Sequence, residues 1–327
     1  VQLLGVAELE ADALVVPCGW IGAPTVSMEK LPNGREAVDG LRRLERVLGR
    51  RIDAVMPIEI GGSNGLAPLI AATELGLPIV DADGMGRAFP ESQMAIFNIR
   101  ALSACPSVVT SASGAVVVLE ALDNLAHESV ARSVSVALGG IAHMVEYPIS
   151  GIEVKKHAIL GSVSAAIAIG AAVREARSLK RDPFAALAAA LRKSNLYREC
   201  GLLIDGKITD VERETRQGFS VGRVRLQGFD GQGHLDIEFQ NENLVARNGA
   251  TILATVPDII SILDRETAET ITTERLQYGQ RVKVVAASAP DILRESDALK
   301  FIGPQAFGFG DGFTPVERLN GWTDAEH

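Results

Sequence analysis

Residues 53–91 read DAVMPIEIGGSNGLAPLIAATELGLPIVDADGMGRAFPE. The segment opens with a short apolar run ending at Pro57, crosses a glycine-rich turn, and continues as an apolar helical stretch closed by Gly76. A second apolar run then ends at Asp81. Short apolar runs that stop at Pro or Asp behave as buried strands entering loops. Strand, loop, helix and strand in this order form a unit whose two strands lie parallel.

The pattern extends toward the N-terminus. Ala13–Pro17 (ALVVP) is another strand run, and Arg35–Arg51 carries Val38, Leu41, Leu44, Val47 and Leu48 on one helical face. Ser162–Leu179 and Pro183–Leu191 are Ala-rich and apolar on more than one face, which predicts buried helices. Near residue 200 the period changes. Gly218–Phe229 and His234–Phe239 alternate apolar and polar residues, and Thr251–Val256, Ile259–Leu263 and Arg281–Ala286 are β-rich runs separated by turns. The expected fold class is therefore α/β: a largely parallel β-α-β domain over residues 1–200 that carries the site, then a mostly antiparallel β domain over residues 201–327, barrel or sandwich.

Of the 327 residues 47% are hydrophobic and 22% charged, which excludes global disorder. The net charge is −9, and residues 201–327, with 13 basic and 20 acidic groups, hold most of it. No basic stripe is present, which argues against nucleic acid or an anionic membrane as partner. Cys18, Cys105 and Cys200 are too scattered for a disulfide framework or a CxxC metal site, as in a reducing, cytoplasmic setting. No apolar run reaches the roughly 18 residues of a membrane span. Because Val1 is not Met, the translation product is expected to be longer.

Two loops concentrate the chemistry. In the first, Pro57–Gly65, Gly61 and Gly62 let backbone N–H groups converge at a helix start, Ser63 and Asn64 suit helix caps, and Glu59 lies just past the strand end. It is either a cradle for an anionic or carbonyl group or an ordinary turn that needs glycine for its angles. It is neither a GxGxxG fingerprint nor a Walker loop, so no nucleotide cofactor is expected. The second loop, Asp81–Glu91, sets Asp81, Asp83 and Arg87 at a strand exit, where ligand crevices of open α/β sheets lie. One Asp can act as general base while its neighbour holds water or a divalent metal, and Arg87 can clamp a carboxylate. Alternatively the acids cap a turn and Arg87 pairs with Glu91 at helical spacing.

Weaker candidates surround these loops. His143 stands three residues from Glu146, but Ile141–Tyr147 reads as a strand, where such positions face opposite ways, so His143 is a poor metal ligand. His127 and His234 sit in polar surface contexts without an assigned role. Lys155 and Lys156 fit a solvated helix face or an anion contact. No Gly-x-Ser-x-Gly elbow occurs, and Cys18 at a strand end is either a reactive thiol or a buried inert one. Thr25, Glu29 and Lys30 follow the first strand and can line the same crevice.

The run Ile58–Glu91, with Val15–Leu31 before it, resembles the S-methyl thiohydantoin desulfurase domain family, long catalogued as a domain of unknown function. Leu202–Val211, Ile237–Val245, Ala254–Ile262 and Arg275–Val282 resemble its C-terminal β domain, so the likeness spans nearly the full chain. The resemblance implies a cyclic ureide or thioureide substrate, association with hydantoinase and oxoprolinase proteins, and a glycine-rich segment ahead of Val1. It implies no catalytic residues, and the candidate roles rest on the chemistry of the two loops. Hydrolytic desulfuration needs a base for water, for which Asp83, Asp81 and Glu59 are candidates. It also needs charge stabilisation, from the amides of Gly61–Asn64, and a contact for substrate charge, from Arg87 or Lys30. Metal-assisted ring opening at the acidic loop, with Asp81, Asp83 or His143 as ligands, is the second enzymatic reading. A non-catalytic partner or ligand sensor of hydantoinase-type enzymes is the rival from another class, and a homo-oligomer is the other protein assembly considered. The two loops are expected to meet, with Asp81 the more buried acid and Asp83 nearer solvent.

Overall fold

The structure is a computed structural model and describes residues 1–322. The chain separates into two compact units, residues 1–164 with 217–219, and residues 165–216 with the described residues from 220 onward.

The first unit contains β1 (Leu3–Leu4), β2 (Leu14–Gly22), α1 (Pro24–Ser27), α2 (Glu36–Leu48), β3 (Ala54–Pro57), α3 (Ala67–Leu75), β4 (Ile79–Val80) and β5 (Ala82–Asp83). It continues with α4 (Ile96–Ile99), β6 (Ser107–Thr110), β7 (Val116–Leu119), α5 (Asn124–Ala137), β8 (Ile141–Val145), β9 (Ile149–Ser150), α6 (Gly151–His157) and β10 (Ile159–Leu160). Its main sheet runs β1-β4-β3-β2-β8-β6-β7. The strands predicted from apolar runs, β2, β3 and β4, are its parallel part together with β1. From β2 outward through β8, β6 and β7 the pairing is antiparallel, so the sheet is mixed.

The parallel part is covered by α2, whose Val38, Leu41 and Leu44 are fully buried against Val16, Val55 and Val145, with Leu48 packed alongside. Burying each such side chain contributes about 1.5–3 kcal/mol. Val47, expected on the same face, is instead 37% exposed, because it lies at the edge of the buried arc. The helix ends at Gly49, whose φ of +64° provides the left-handed C-terminal turn. In α6, Ser150 caps the start through a reciprocal pair with Glu153, and exposed Lys155 and Lys156 occupy the last turn, where positive charge is favoured.

The second unit begins at Ala165, within α7 (Ser162–Ser178), and continues with α8 (Pro183–Lys193). Seven strands follow: β11 (Cys200–Arg216), β12 (Phe219–Gly228), β13 (His234–Gln240), β14 (Glu242–Asn248), β15 (Thr251–Thr255), β16 (Ile259–Asp264) and β17 (Arg281–Ala287), then short α9 (Leu299–Ile302) and α10 (Val316–Asn320). The strands form one antiparallel sheet ordered β15-β14-β13-β12-β11-β17-β16, as the alternation predicts. Alternate residues such as Ile208, Val224, Leu226, Leu235, Ile237, Val282 and Val284 supply its core.

Helices α7 and α8 correct the sequence reading. Neither is a buried helix: Ile167 is 61% exposed, and α8 has no buried residue. Alanine-rich surface bears little apolar area, so uniform apolarity here does not enforce burial. No helix among the described residues is long and apolar enough to cross a membrane.

Candidate functional site

The two loops meet beyond the carboxyl ends of β3 and β4. After Pro57, the Ile58 N–H still donates to the Cys18 carbonyl of β2 at 3.1 Å, and then the chain lifts away. The side chain of Asn64 takes over the ladder. Its Oδ1 accepts the Trp20 N–H at 2.7 Å, and its Nδ2 donates to the Trp20 carbonyl at 3.3 Å. The same Nδ2 donates to Glu59 Oε1 at 2.8 Å. Asn64 is therefore a staple between loop and strand, not the expected helix cap. The cap position of α3 falls at Leu66, with no side-chain bond, while the Ser63 carbonyl accepts the N–H groups of Leu66 and Ala67.

Hydrogen bonds among the described residues join the loops. Gly84 N–H donates to the Ile58 carbonyl at 2.9 Å, Ile60 N–H to Asp83 Oδ2 at 3.0 Å, and Phe89 N–H to Glu59 Oε2 at 3.0 Å. Glycine is needed here for proximity. A Cβ on Gly61 would lie 2.8 Å from the Ala88 Cβ, and one on Gly84 would lie 2.8 Å from the Ile58 carbonyl oxygen. Gly62, with φ +45°, is the position in the first loop that needs the left-handed angle. Turn hydrogen bonds use the N–H groups of Asn64, Gly65 and Leu66, whereas those of Gly61, Gly62 and Ser63 have no acceptor among the described residues.

Asp83 is 0% exposed. Its Oδ2 accepts three main-chain N–H groups, from Ile60 and, at 2.9 and 2.7 Å, from Met85 and Gly86. Burial nevertheless pushes this carboxyl up to about 6, against the opposing pull of the nearby Ser162 hydroxyl and the three amides. Asp83 Oδ1 and Ser162 Oγ make no hydrogen bond among the described residues.

Asp81 is half-exposed, and its Oδ1 accepts the Ser164 N–H at 2.9 Å while its carbonyl accepts the Gly161 N–H at 2.8 Å. The expected order of burial is thus reversed. The strand ends at Val80, so Asp81 turns out to hold the start of α7, while Asp83 pairs with Ile159 of β10 and points into converging amides.

The remaining candidates are placed as follows. Arg87 is buried, donates from Nε to the Ala88 carbonyl at 3.1 Å, and lies 5.0 Å from the Phe89 ring centroid. The Glu91 carboxylate takes the Gln93 side-chain amide. Half-buried Thr25 sits in the single turn of α1, and Lys30 donates to the Leu138 carbonyl at 2.6 Å, at the end of α5. His143 is buried edge-on against Trp20, with ring centroids 5.2 Å apart, and neither ring nitrogen has a hydrogen-bond partner among the described residues. Burial pushes it down to about 3, so the ring is neutral. Among the described residues no group of three or more His, Cys, Asp or Glu is arranged to hold a metal ion, and Asp81, Asp83 and His143 do not converge. Cys18 is a buried thiol pushed up to about 12, by burial and then by Glu146.

A second polar cluster escapes a reading of sequence pattern. Helix α5 buries His127, Glu128, Arg132 and Ser135 and exposes Leu125, Val130 and Val136. His127 is therefore an interior residue, contrary to its polar surroundings in sequence. Its Nε2 lies 2.7 Å from Ser107 Oγ and its Nδ1 4.0 Å from Glu146 Oε2. The one sequence signal was the spacing of Glu128 and Arg132, four apart in a helix, which form an ion pair with Arg132 Nε 2.8 Å from Glu128 Oε1.

Comparison with known proteins bears on the whole chain. The N-terminal domain of the S-Me-THD-like family matches residues 1–121, and the C-terminal domain of the same family matches residues 122–316. The structure is similar to the crystal structure of a protein from Chromobacterium violaceum solved by the Northeast Structural Genomics Consortium. That likeness has a TM-score of 0.78 and 25% identity over 97% of this chain and 87% of that one. No curated protein matches. Both halves of one family, in order and without a gap, account for nearly every described residue: the chain belongs to the S-Me-THD-like family.

Proposed function

We propose that the chain is a hydrolase acting on a hydantoin-like ring, most concretely by hydrolytic desulfuration of an S-methyl thiohydantoin. The observation that carries this reading is Asp83. It is a buried carboxylate with one oxygen held by three amides, the other oxygen without a hydrogen-bond partner among the described residues, and a basicity raised to about 6. A general base works best when its pKa lies near the working pH and its position is fixed beforehand. The family to which the chain belongs supports a thiohydantoin-type substrate.

In the proposed reaction, water attacks the ring carbon that bears the S-methyl group, and Asp83 Oδ1 takes the proton lost by that water. The C–S bond then breaks, the added hydroxyl becomes the ring carbonyl as its proton passes to the ring nitrogen of the former C=N bond, and the proton taken up by Asp83 passes to methanethiolate, which leaves as methanethiol. Negative charge that develops on the ring is met by the Gly61–Ser63 amides of the first loop. Arg87 binds substrate charge. Asp81 acts at one remove, since it fixes the segment that sets Ser162 beside Asp83. Glu59 and Asn64 keep the loops together.

The test is methanethiol release from an S-methyl thiohydantoin by the wild type and by Asp83→Asn, with the melting temperature of each. Release by the wild type and a loss on the order of 10²–10⁴ in the folded variant support the reading. A ligand-dependent melting shift with no release from either would favour a ligand-sensing protein instead. Equal release from both would move the base to Glu59.

A further inference from the structure

The second loop does not end at the acidic string. Beyond Phe89 it crosses to the face of the sheet covered by α5 and is fastened at Ser92 by three side chains, one from α5 and two from the residues just past β8. Glu128 of α5 accepts the Ser92 N–H at 3.0 Å, Glu146 at the end of β8 accepts the Ser92 hydroxyl, and the Tyr147 hydroxyl donates to the Ser92 carbonyl at 3.3 Å. Two residues earlier, Arg132 donates to the Pro90 carbonyl at 2.8 Å. All four partners are buried. Tyr147 is held at φ +48°, a left-handed angle that a bulky residue adopts only where its surroundings impose it. An exposed loop needs none of this. The amide, hydroxyl and carbonyl of one serine are all tied inside the protein, and the residue closes a strap whose other end is Asp83.

We propose that Glu146, acting with Glu128 through Ser92, is a positioning residue that holds the 84–95 strap against the sheet and releases it when the Glu146 carboxyl ionises. The groups that face Glu146 make this hold sensitive to charge. From α5 come His127, Glu128 and Arg132; Tyr147 adjoins it in sequence; Cys18 of β2 and Cys105 before β6 also interact with it. Burial, the largest cause, and Glu128 push the Glu146 carboxyl up to about 8 against the opposing pull of the Ser92 hydroxyl and of Arg132, so at neutral pH it is uncharged and burial is what ionisation must overcome. His127, pushed down to about 4 by burial, is also neutral and offers no compensating charge. Arg132 is already paired with Glu128. Once Glu146 ionises, two carboxylates press on the same serine in a buried setting with Arg132 the one nearby cation, and solvent access relieves the charge. Its consequence for turnover rests on the proposed desulfuration; the anchoring does not.

Hydrogen exchange of peptides covering residues 84–95 tests it in the full chain, with rates normalised to the unstructured peptide at each pH. In the wild type, protection of this segment should fall at least tenfold between pH 7 and pH 9.5, while a β12–β13 peptide keeps its protection. Glu146→Gln, which mimics the uncharged acid, should keep the segment protected at both pH values, and Ser92→Ala should lose protection at both. A wild-type segment equally protected at pH 7 and 9.5, or the same pH response in Glu146→Gln, overturns the proposal; so does full protection in Ser92→Ala. If Glu146→Gln does not fold, the wild-type response and Ser92→Ala still decide. With an active enzyme, wild-type kcat/KM should also fall above pH 8, and Glu146→Gln should show no such fall. Absence of activity together with the expected exchange pattern would reject the substrate reading and leave the anchor standing.

Discussion

Replacing Asn64 by Ala should unfasten the first loop from β2. The substitution removes an acceptor for Trp20 N–H at 2.7 Å, a weak donor to the Trp20 carbonyl at 3.3 Å, and a donor to the Glu59 carboxylate at 2.8 Å. Net contributions of about 0.5–1.5 kcal/mol for a neutral bond and about 1.5–3 kcal/mol for one to a charged group give a loss of roughly 3 kcal/mol. For a unit of this size that corresponds to a fall in Tm of roughly 6–12 °C. The chain has two tryptophans, so in a Trp322→Phe background Trp20 is the sole indole and reports on its own surroundings during urea unfolding. The midpoint should fall while the slope with denaturant stays the same. Asn64→Asp is the sharper comparison: it keeps an acceptor for Trp20 N–H but sets a second carboxylate against Glu59. It should be at least as unstable as the alanine variant at pH 7 and regain stability as the pH is lowered and the new acid is protonated. A change of less than about 0.5 kcal/mol in Asn64→Ala would show that the staple does not hold the loops and would refute the reasoning.

Leu41→Ala, at the centre of the α2 face, should lose about 2–5 kcal/mol in the same urea assay, since it leaves a cavity beneath the helix. Asp81→Ala, which removes an acceptor at the start of α7, should lose about 0.5–2 kcal/mol, as cap substitutions do, and calorimetry of the pair measures it. The folded Asp83 carboxyl sits at about 6 against an ordinary 3.8, so the folded chain keeps a proton that the unfolded chain has lost between those values. Its contribution is therefore present below about pH 4 and lost as pH rises toward 6, by up to about 1.4 kcal/mol per unit. Urea midpoints across pH 4–7 should show a component of this sign that is absent in Asp83→Asn.

Which features can be read from the chain follows from what burial demands of each. The parallel strands were legible because a strand buried on both faces has to be continuously apolar, as Val15–Val16 and Val55–Met56 are. The meeting of the loops was legible too, since two parallel strands joined through one helix send their exits to one edge. What stayed hidden depends on partners distant in sequence. Asp83 is buried because three amides, one of them 23 residues away, happen to converge on it. Asn64 looks like a cap in sequence and is a strand substitute because Trp20 is adjacent in space. Helix α5 inverts the usual rule, with polar residues inside and Leu125 outside, and no periodicity of hydrophobicity can assign its faces.

The central claim is that Asp83 is the base, and the pH dependence of methanethiol release tests it most directly. The wild type should show kcat/KM for an S-methyl thiohydantoin rising through an apparent pKa near 6, the value to which burial raises Asp83. Asp83→Asn should be lower by a factor on the order of 10²–10⁴, with that rising limb gone and the fold intact. An Asp83→Asn enzyme that retains the same limb and the same rate would contradict the account.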